Sequence, residues 1–224
     1  MLNYEVEPAL LSNFIPDGTE LDRWDGKLFA SLVGFRFLNT KVCGIPIPFH
    51  RNFDEVNLRF YVRRTVGGDE IRRGVVFIKE IVPRWAIAAV ARSVYNERYV
   101  ALPMNHHIKP SESGIFVEYG WRSGIGMSRI SISAEGTPVM PSEGSLEQFI
   151  TEHFWGYSAQ KNGTTVEYRV AHPRWRVWRG SDAKFEGDGT ELYGAELAAV
   201  LAGPPASAFL AEGSEVSVFR GQKI

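Results

Sequence analysis

The stretch Glu55-Val56-Asn57-Leu58-Arg59-Phe60-Tyr61-Val62-Arg63 decides the fold class. Apolar and polar side chains alternate along it, and in an extended backbone every second residue lies on the same side. One face would carry Val56, Leu58, Phe60 and Val62, and the other Glu55, Asn57, Arg59, Tyr61 and Arg63. The pattern predicts a β-strand whose two faces meet different environments.

A second strand is predicted directly after the first. Gly67-Gly68 is a turn signal, and Arg73–Ile81 follows it as the second strand of a hairpin. Many short strands joined by Gly-rich turns such as Ser123-Gly124-Ile125-Gly126 are typical of a barrel or a sandwich. Further strands are predicted at Lys27–Leu38, Gly114–Arg122, Met127–Ala134, Thr165–Ala171 and Val216–Arg220.

Helices are expected to be few. Pro83 suits a first helical turn and precedes a helix predicted at Trp85–Val94. Ser145 and Gln148 have capping-box spacing, which predicts a second helix over Leu146–His153. A third is predicted over the Ala/Leu-rich segment Thr190–Leu201. No repeat or linker interrupts the sequence, so we expect one domain over residues 1–224.

Composition narrows the function classes. The 25 basic and 26 acidic residues nearly cancel, so neither nucleic acid nor an anionic membrane is an expected partner. The single cysteine, Cys43, excludes an internal disulfide. No apolar run reaches the roughly 18 residues that a membrane span needs, and the first residues lack a signal-peptide pattern. We therefore expect a cytoplasmic protein.

The sequence predicts neither a metal site nor a cofactor. His106 and His107 are adjacent, and adjacent residues of a strand point to opposite faces, so both cannot bind one ion. No His-Glu-x-x-His or Cys-x-x-Cys spacing occurs. Cys43 lies in an apolar stretch, where a cysteine behaves as a small buried hydrophobe rather than as a nucleophile.

Several motifs together resemble the YqjF-like family of bacterial proteins, a domain of unknown function. They occur in the family's order and span roughly residues 24–178. The motifs are Glu55-Val56-Asn57-Leu58-Arg59-Phe60-Tyr61-Val62, Arg73-Gly74-Val75-Val76-Phe77, Tyr95-Asn96-Glu97-Arg98-Tyr99 with Leu102-Pro103, Glu152-His153-Phe154-Trp155-Gly156-Tyr157 and His172-Pro173-Arg174-Trp175.

This family is similar to the acetoacetate decarboxylase-like superfamily. The resemblance implies a mostly β (α+β) fold, with a closed β-barrel around a small-molecule cavity and a few flanking helices. It also implies a lysine pair, in which the first lysine forms a Schiff base and the second lowers the pKa of the first. Here Met104 and Asn105 stand at those two positions. Because a thioether cannot condense with a ketone, acetoacetate decarboxylase activity by this route is not expected.

Lys79 is the alternative amine. By strict alternation it shares a face with Val75 and Phe77. If that face lines the barrel, Lys79 is a desolvated lysine, which is how an amine nucleophile is made. If Lys79 lies near a strand end, its ammonium is in solvent.

Glu55 is placed by the resemblance where the decarboxylases have a cavity glutamate. A carboxyl group in a partly dry barrel would have a raised pKa and could act as a general acid or base. The alternative is an ion pair with Arg59 or Arg63 on the same strand face. If this face points inward, Arg59 could bind a carboxylate or phosphate through two hydrogen bonds. If it points outward, it is a solvated surface.

Three hypotheses of function remain open. The first is a small-molecule binder that holds a carbonyl, carboxylate or apolar metabolite near Glu55, Met104 and His106. The second is an enzyme that uses acid–base chemistry through Glu55 and His106, or a Schiff base on Lys79. The third is a structural module that forms a homo-oligomer through edge strands.

Overall fold

A computed structural model describes residues 1–42, 45–46, 51–85 and 98–224. The fold is mostly β, as the sequence predicted. The strands are β1 (Leu2–Glu5), β2 (Glu20–Leu21), β3 (Phe29–Phe37), β4 (Lys41–Val42), β5 (Ile45–Pro46), β6 (Phe53–Val66), β7 (Glu70–Val82), β8 (Tyr99–Ala101), β9 (Met104–Pro110), β10 (Gly114–Ser123), β11 (Gly126–Glu135), β12 (Trp155–Ala159), β13 (Thr165–Ala171), β14 (Val177–Glu186), β15 (Ser207–Ala211), β16 (Ser217–Val218) and β17 (Gln222–Lys223).

Short helices lie between these strands. They are α1 (Pro8–Leu11), a 3-10 helix (Ser12–Phe14), α2 (Leu146–Thr151), α3 (Thr190–Tyr193) and α4 (Ala195–Leu201). The predicted capping residue begins α2, because the Ser145 hydroxyl accepts a hydrogen bond from the Gln148 backbone N–H. The segment predicted as one helix at Thr190–Leu201 is two, since Gly194 with φ 81° breaks it. The predicted helix at Trp85–Val94 lies outside the described residues beyond Trp85, and Cys43 lies outside them too.

The predicted hairpin is confirmed as β6 and β7, the two longest strands, joined at Gly67-Gly68. Both faces of β6 are buried. Val56, Leu58, Phe60 and Val62 are 0% exposed. On the opposite face, Glu55, Asn57 and Tyr61 are also buried, which excludes the solvated-surface interpretation for these three residues.

A β-bulge in β7 changes which side Lys79 occupies. Leu58 faces Lys79, but Arg59 faces Phe77, so Ile78 is an extra residue in the ladder. One extra residue reverses the alternation beyond it. Lys79 therefore lies on the Leu58 side of the hairpin, and the prediction that it shares a face with Val75 and Phe77 is wrong.

The strands form one large sheet that is not closed. Its order is β16-β13-β12-β7-β6-β3-β1-β15-β14-β11-β10-β9, with β17 on β13, β2 on β6 and β8 on β7, while β4 and β5 pair separately. The expectation of a closed barrel is corrected here: within the described chain, the end strands β16 and β9 do not pair. Across the core β9 faces β6, but both edges of β6 already bond to β3 and β7, so only side chains make the contact.

The open sheet nevertheless curls until distant strands pack face to face. A Cβ added to Gly34 in β3 would lie 2.6 Å from the Tyr119 ring in β10, although four strands separate β3 from β10 in the sheet. Inside the curl is the main core, formed by Leu2, Tyr4, Val6, Leu11, Leu28, Ala30, Leu32, Val56, Leu58, Phe60, Val62, Val76, Ile78, Ile81, Tyr119, Trp121, Ile130, Tyr157, Phe185, Tyr193, Leu197 and Leu201.

A smaller core lies on the opposite face of β6, beneath α2. We call it the helix-side core, and it contains Phe29, Tyr61, Val75, Phe149, Ile150, Val177 and Phe209. Among the described residues, no helix is long and apolar enough to cross a membrane.

Candidate functional site

Met104 lies against the main core. It begins β9, opposite Trp121 in β10, and packs on the core as a half-buried hydrophobic residue. The position at which the family resemblance places a reactive amine therefore holds an apolar side chain in an apolar environment. This side chain has no acidic proton to transfer and no amine to condense with a ketone.

His106 lies two residues farther along the same face and pairs with Asp54. Its Nδ1 is 2.8 Å from Asp54 Oδ2, and Arg36 Nε is 3.4 Å from Asp54 Oδ1. The three residues form a partly exposed charged cluster at the edge of the main core. Burial raises the pKa of the neighbouring Tyr119 to about 12, and the Asp54 charge contributes to the rise.

Three buried hydrogen-bond donors of the main core have no acceptor. They are the Tyr4 hydroxyl in β1, the Trp121 Nε1 in β10 and the Tyr193 hydroxyl in α3, and none has a partner in the part of the chain that the structure describes. Burial raises the pKa of Tyr4 to about 12 and raises that of Tyr193 further, so both hydroxyls keep their protons at neutral pH. Almost all buried polar atoms in native proteins are paired, so three unpaired donors in one core are unusual.

Lys79 lies on the main-core side through the bulge. Its ladder partner Leu58 is 0% exposed, while Lys79 itself is half-buried. Lys79 therefore borders the main core from a different face than the one that strict alternation predicted.

Glu55 lies on the opposite side of β6 from Asp54 and His106. Its carboxyl group accepts hydrogen bonds from Asn57 Nδ2 at 3.0 Å and from the Tyr99 hydroxyl at 3.2 Å. Burial raises the pKa of Glu55 to about 7, although these two donors and the Arg59 charge oppose the rise. The alternation within β6 is what separates Glu55 from His106.

Arg59 shares the face of Glu55 and is half-buried. One Nη2 hydrogen bond, 3.3 Å long, ties it to the Ile150 carbonyl at α2, and its guanidinium lies 5.8 Å from the Tyr61 ring centre. No ion pair forms between Arg59 and Glu55, so the ion-pair interpretation of Glu55 is wrong for Arg59. Arg63 pairs with Glu20 instead, at 2.9 Å.

The five predicted site residues therefore divide into two groups. Met104, His106 and Lys79 border the main core, whereas Glu55 and Arg59 belong to the opposite face of β6. One pocket that joins Glu55, Met104 and His106 does not form. Among the described residues, no three His, Cys, Asp or Glu side chains gather as a metal site.

The unpaired donors were missed by sequence reasoning. Tyr4, Trp121 and Tyr193 carry no motif, and buried aromatic residues usually serve as core. Only the absence of nearby acceptors distinguishes them, and that depends on the tertiary fold.

The chain belongs to the DUF2071 family, described as an uncharacterized conserved protein, whose model matches residues 1–215. A relative, the uncharacterized protein YqjF of Bacillus subtilis (strain 168), is 25% identical over 178 residues, which cover 76% of this chain and 69% of the relative. The resemblance to the YqjF-like family is thereby confirmed.

Solved structures confirm the decarboxylase-like fold. The acetoacetate decarboxylase of Legionella pneumophila aligns with a TM-score of 0.64 and 13% identity, over 100% of this chain and 82% of that one. The enduracididine biosynthesis enzyme MppR complexed with pyruvate aligns with a TM-score of 0.59 and 14% identity, over 99% and 81%. At these identities the likeness establishes the fold alone.

Proposed function

We propose that this protein binds a small molecule with a carbonyl or carboxylate group in its main core. The observation that carries the proposal is the set of three buried, unpaired donors at Tyr4, Trp121 and Tyr193. Leaving a buried donor unpaired costs about 1–3 kcal/mol, so three of them are a stability cost that a ligand acceptor would offset.

The donors select the chemical class of the ligand. Hydroxyl and indole N–H groups donate to oxygen acceptors, which favours carbonyl and carboxylate oxygens over a wholly apolar metabolite. A fold relative was solved with pyruvate bound, and another is an acetoacetate decarboxylase, so small oxo acids are the natural probes. With Met104 in place of the amine, this binding is non-covalent.

Replacing Tyr193 by Phe tests the proposal. Calorimetry should show pyruvate or acetoacetate bound about tenfold more weakly, since one hydrogen bond to a charged acceptor contributes about 1.5 kcal/mol. Without ligand, the variant should unfold at an equal or higher temperature than the wild type, because an unpaired hydroxyl has been removed from the core.

Tyr157→Phe is the matched control, because Tyr157 is a tyrosine of the same core whose hydroxyl donates to Glu167 at 3.0 Å. This change should lower stability and leave ligand affinity unaltered. Oxo-acid binding that is undetectable in the wild type, or that is unaffected by Tyr193→Phe, contradicts the proposal.

A second candidate function is Schiff-base chemistry on Lys79. It is favoured by the bulge, which moves Lys79 to the main-core side of the hairpin, opposite the fully buried Leu58. Desolvation beside such a surface would lower the pKa of an amine and make it nucleophilic. The amine would condense with a ketone to give an imine and water.

Borohydride trapping tests this second function. Reduction with pyruvate should add a stable mass to the peptide that contains Lys79, and mass spectrometry should find no adduct there in Lys79→Arg. Lys184, exposed and paired with Glu186 at 3.3 Å, is the internal comparison. Equal labelling of both lysines, or none, rules out a reactive Lys79.

A further inference from the structure

Arg59 is a half-buried cation, and part of its hydrogen-bonding capacity is unused by the residues that the structure describes. Within the described ranges, no carboxylate lies within 4.0 Å of its guanidinium, and its Nε is fully buried without a hydrogen-bond partner. Its one hydrogen bond goes to a neutral carbonyl, that of Ile150. Buried charges in proteins are normally paired with an opposite charge. Glu55 on the same face interacts electrostatically with Arg59, but burial raises the pKa of Glu55 to about 7, so no described anion contacts Arg59 directly.

Apart from Glu55, the titratable groups that the Arg59 charge affects are His153, His172 and the N-terminal amine of Met1, and each of these adds positive charge when it is protonated. Burial lowers the pKa of His153 and of His172, and the Arg59 charge lowers both further. The Arg59 guanidinium is therefore close enough to act on both imidazoles. His172 also stacks on Trp175 at 4.0 Å, which fixes its ring beside this positive region.

Asn57, on the same face, carries a second buried polar atom that has no hydrogen-bond partner among the described residues. It is 2% exposed, and its Nδ2 donates to Glu55, but its Oδ1 accepts no hydrogen bond from any described residue. Residues two apart on a strand lie about 7 Å apart between their Cα atoms. An unpaired acceptor thus stands next to an unpaired cationic donor.

We propose that Arg59 and Asn57 form a second small-molecule site, distinct from the main core, for a carboxylate with a hydroxyl or amino group on the neighbouring carbon. The ligand carboxylate accepts from the Arg59 Nε–H, and the ligand hydroxyl or amino group donates to Asn57 Oδ1. A simple anion satisfies only one of these two groups, and a simple alcohol or amine only the other.

Calorimetry with lactate, alanine and propionate tests this site. Propionate is lactate without its hydroxyl and alanine without its amino group, so lactate or alanine should bind at least fivefold more tightly than propionate, as one net hydrogen bond predicts. Arg59→Met should weaken that binding at least tenfold. Arg59→Lys keeps the charge but loses Nε, so it should weaken lactate binding severalfold. This second variant keeps the test valid if Arg59→Met does not fold.

Two matched variants separate this site from the rest of the molecule. Arg63→Met removes an arginine from the same strand face that already pairs with Glu20, and it should leave lactate binding unchanged. Tyr193→Phe should leave the Arg59-dependent part of lactate binding unchanged, so the main-core proposal can fail while this one stands.

Imidazole NMR gives an independent signal. When a carboxylate neutralises Arg59, the pKa of His172 should rise, because one of the causes of its lowering is removed. Propionate equal to lactate and alanine, binding unchanged in Arg59→Met, or a His172 pKa unmoved at saturation would each overturn the proposal.

Discussion

Replacing Glu167 by alanine is expected to lower the free energy of unfolding by about 3–5 kcal/mol, the cost of breaking a buried ion pair from one side. Glu167, in β13, is 0% exposed and links its own strand to four others. Four side chains donate to its two oxygens: Arg64 at 3.0 Å, Arg72 at 2.6 Å, Tyr157 at 3.0 Å and Gln222 at 3.2 Å. Its removal leaves two partly buried arginines without this carboxylate.

Glu70→Ala is the control for that loss. Glu70 also pairs with Arg72, at 2.8 Å, but its side chain is 59% exposed, so the change should cost less than about 1 kcal/mol. Urea unfolding measures both variants. A similar cost for the two would mean that burial does not decide the strength of this cluster.

The same carboxylate predicts acid sensitivity. Burial alone would raise the pKa of Glu167, but the hydrogen bonds from Arg64, Tyr157, Gln222 and Arg72 outweigh it and hold the pKa below its ordinary 4.5. The stabilisation is therefore complete above about pH 4.5 and is lost as the pH falls through the lower folded-state value. In Glu167→Gln this part of the pH dependence should disappear.

The central hairpin could be predicted because alternation is a local property. Thr165–Ala171 matches its predicted bounds, and the runs Glu55–Arg63 and Arg73–Ile81 lie inside the observed strands β6 and β7. β14 was missed, since Gly180 and Asp182, the latter with φ 49°, interrupt any period of two. Val216–Arg220 forms a strand only at Ser217–Val218.

What lies against each face could not be predicted. The alternation in β6 separates Glu55 from Val56, yet it does not say that both faces are covered, one by the main core and one by the layer beneath α2. The bulge at Ile78 leaves no mark in the sequence, because every residue near it suits a strand. The sequence therefore could not predict that the bulge places Lys79 on the Leu58 side of the hairpin.

Candidate residues were found where their chemistry is visible in the sequence. Glu55 is a buried acid and Arg59 is half-buried, but both lie on the face of β6 beneath α2, which is neither the barrel interior nor the solvated surface that the two interpretations offered. Their separation from His106 follows from the alternation in β6 together with the contact of His106 with Asp54, and that contact depends on the tertiary fold. The unpaired donors at Tyr4 and Trp121 could not be predicted from the sequence, because whether a donor finds an acceptor depends on the residues that surround it in the fold.

The run Glu152–Tyr157, one of the motifs of the family resemblance, has a structural role through His153. This imidazole is buried, and it links α2 to the segment before β3: Nδ1 is 2.6 Å from the Phe149 carbonyl and Nε2 is 3.2 Å from Asp22 Oδ2. It also packs against Tyr61 at 4.7 Å. His153→Ala removes both links and leaves a cavity, so unfolding should become easier by about 3–5 kcal/mol.

Asp22→Asn distinguishes the hydrogen bond from the charge. The Phe149 carbonyl can only accept a hydrogen bond, so His153 Nδ1 carries a proton. A carboxylate also only accepts, so a hydrogen bond between Nε2 and Asp22 requires a second proton on the ring, at Nε2. An asparagine amide can donate to the neutral Nε2 and supply that proton. At pH 8 Asp22→Asn should therefore be more stable than Asp22→Ala by about 1–3 kcal/mol, because only the asparagine gives the buried nitrogen a hydrogen-bond donor.

The pH dependence of stability distinguishes Asp22→Asn from the wild type below pH 6.5. Burial lowers the pKa of His153 below its ordinary 6.5, and Asp22 opposes that shift. A lowered folded-state pKa means that stability is complete above about pH 6.5 and is lost as the pH falls through the folded value. Asp22→Asn removes the opposing carboxylate, so its stability should fall more steeply than that of the wild type between pH 6.5 and 5. A parallel profile for the two proteins would show that His153 is not the group that titrates, because only an imidazole beside Asp22 gains from the carboxylate when it binds a proton.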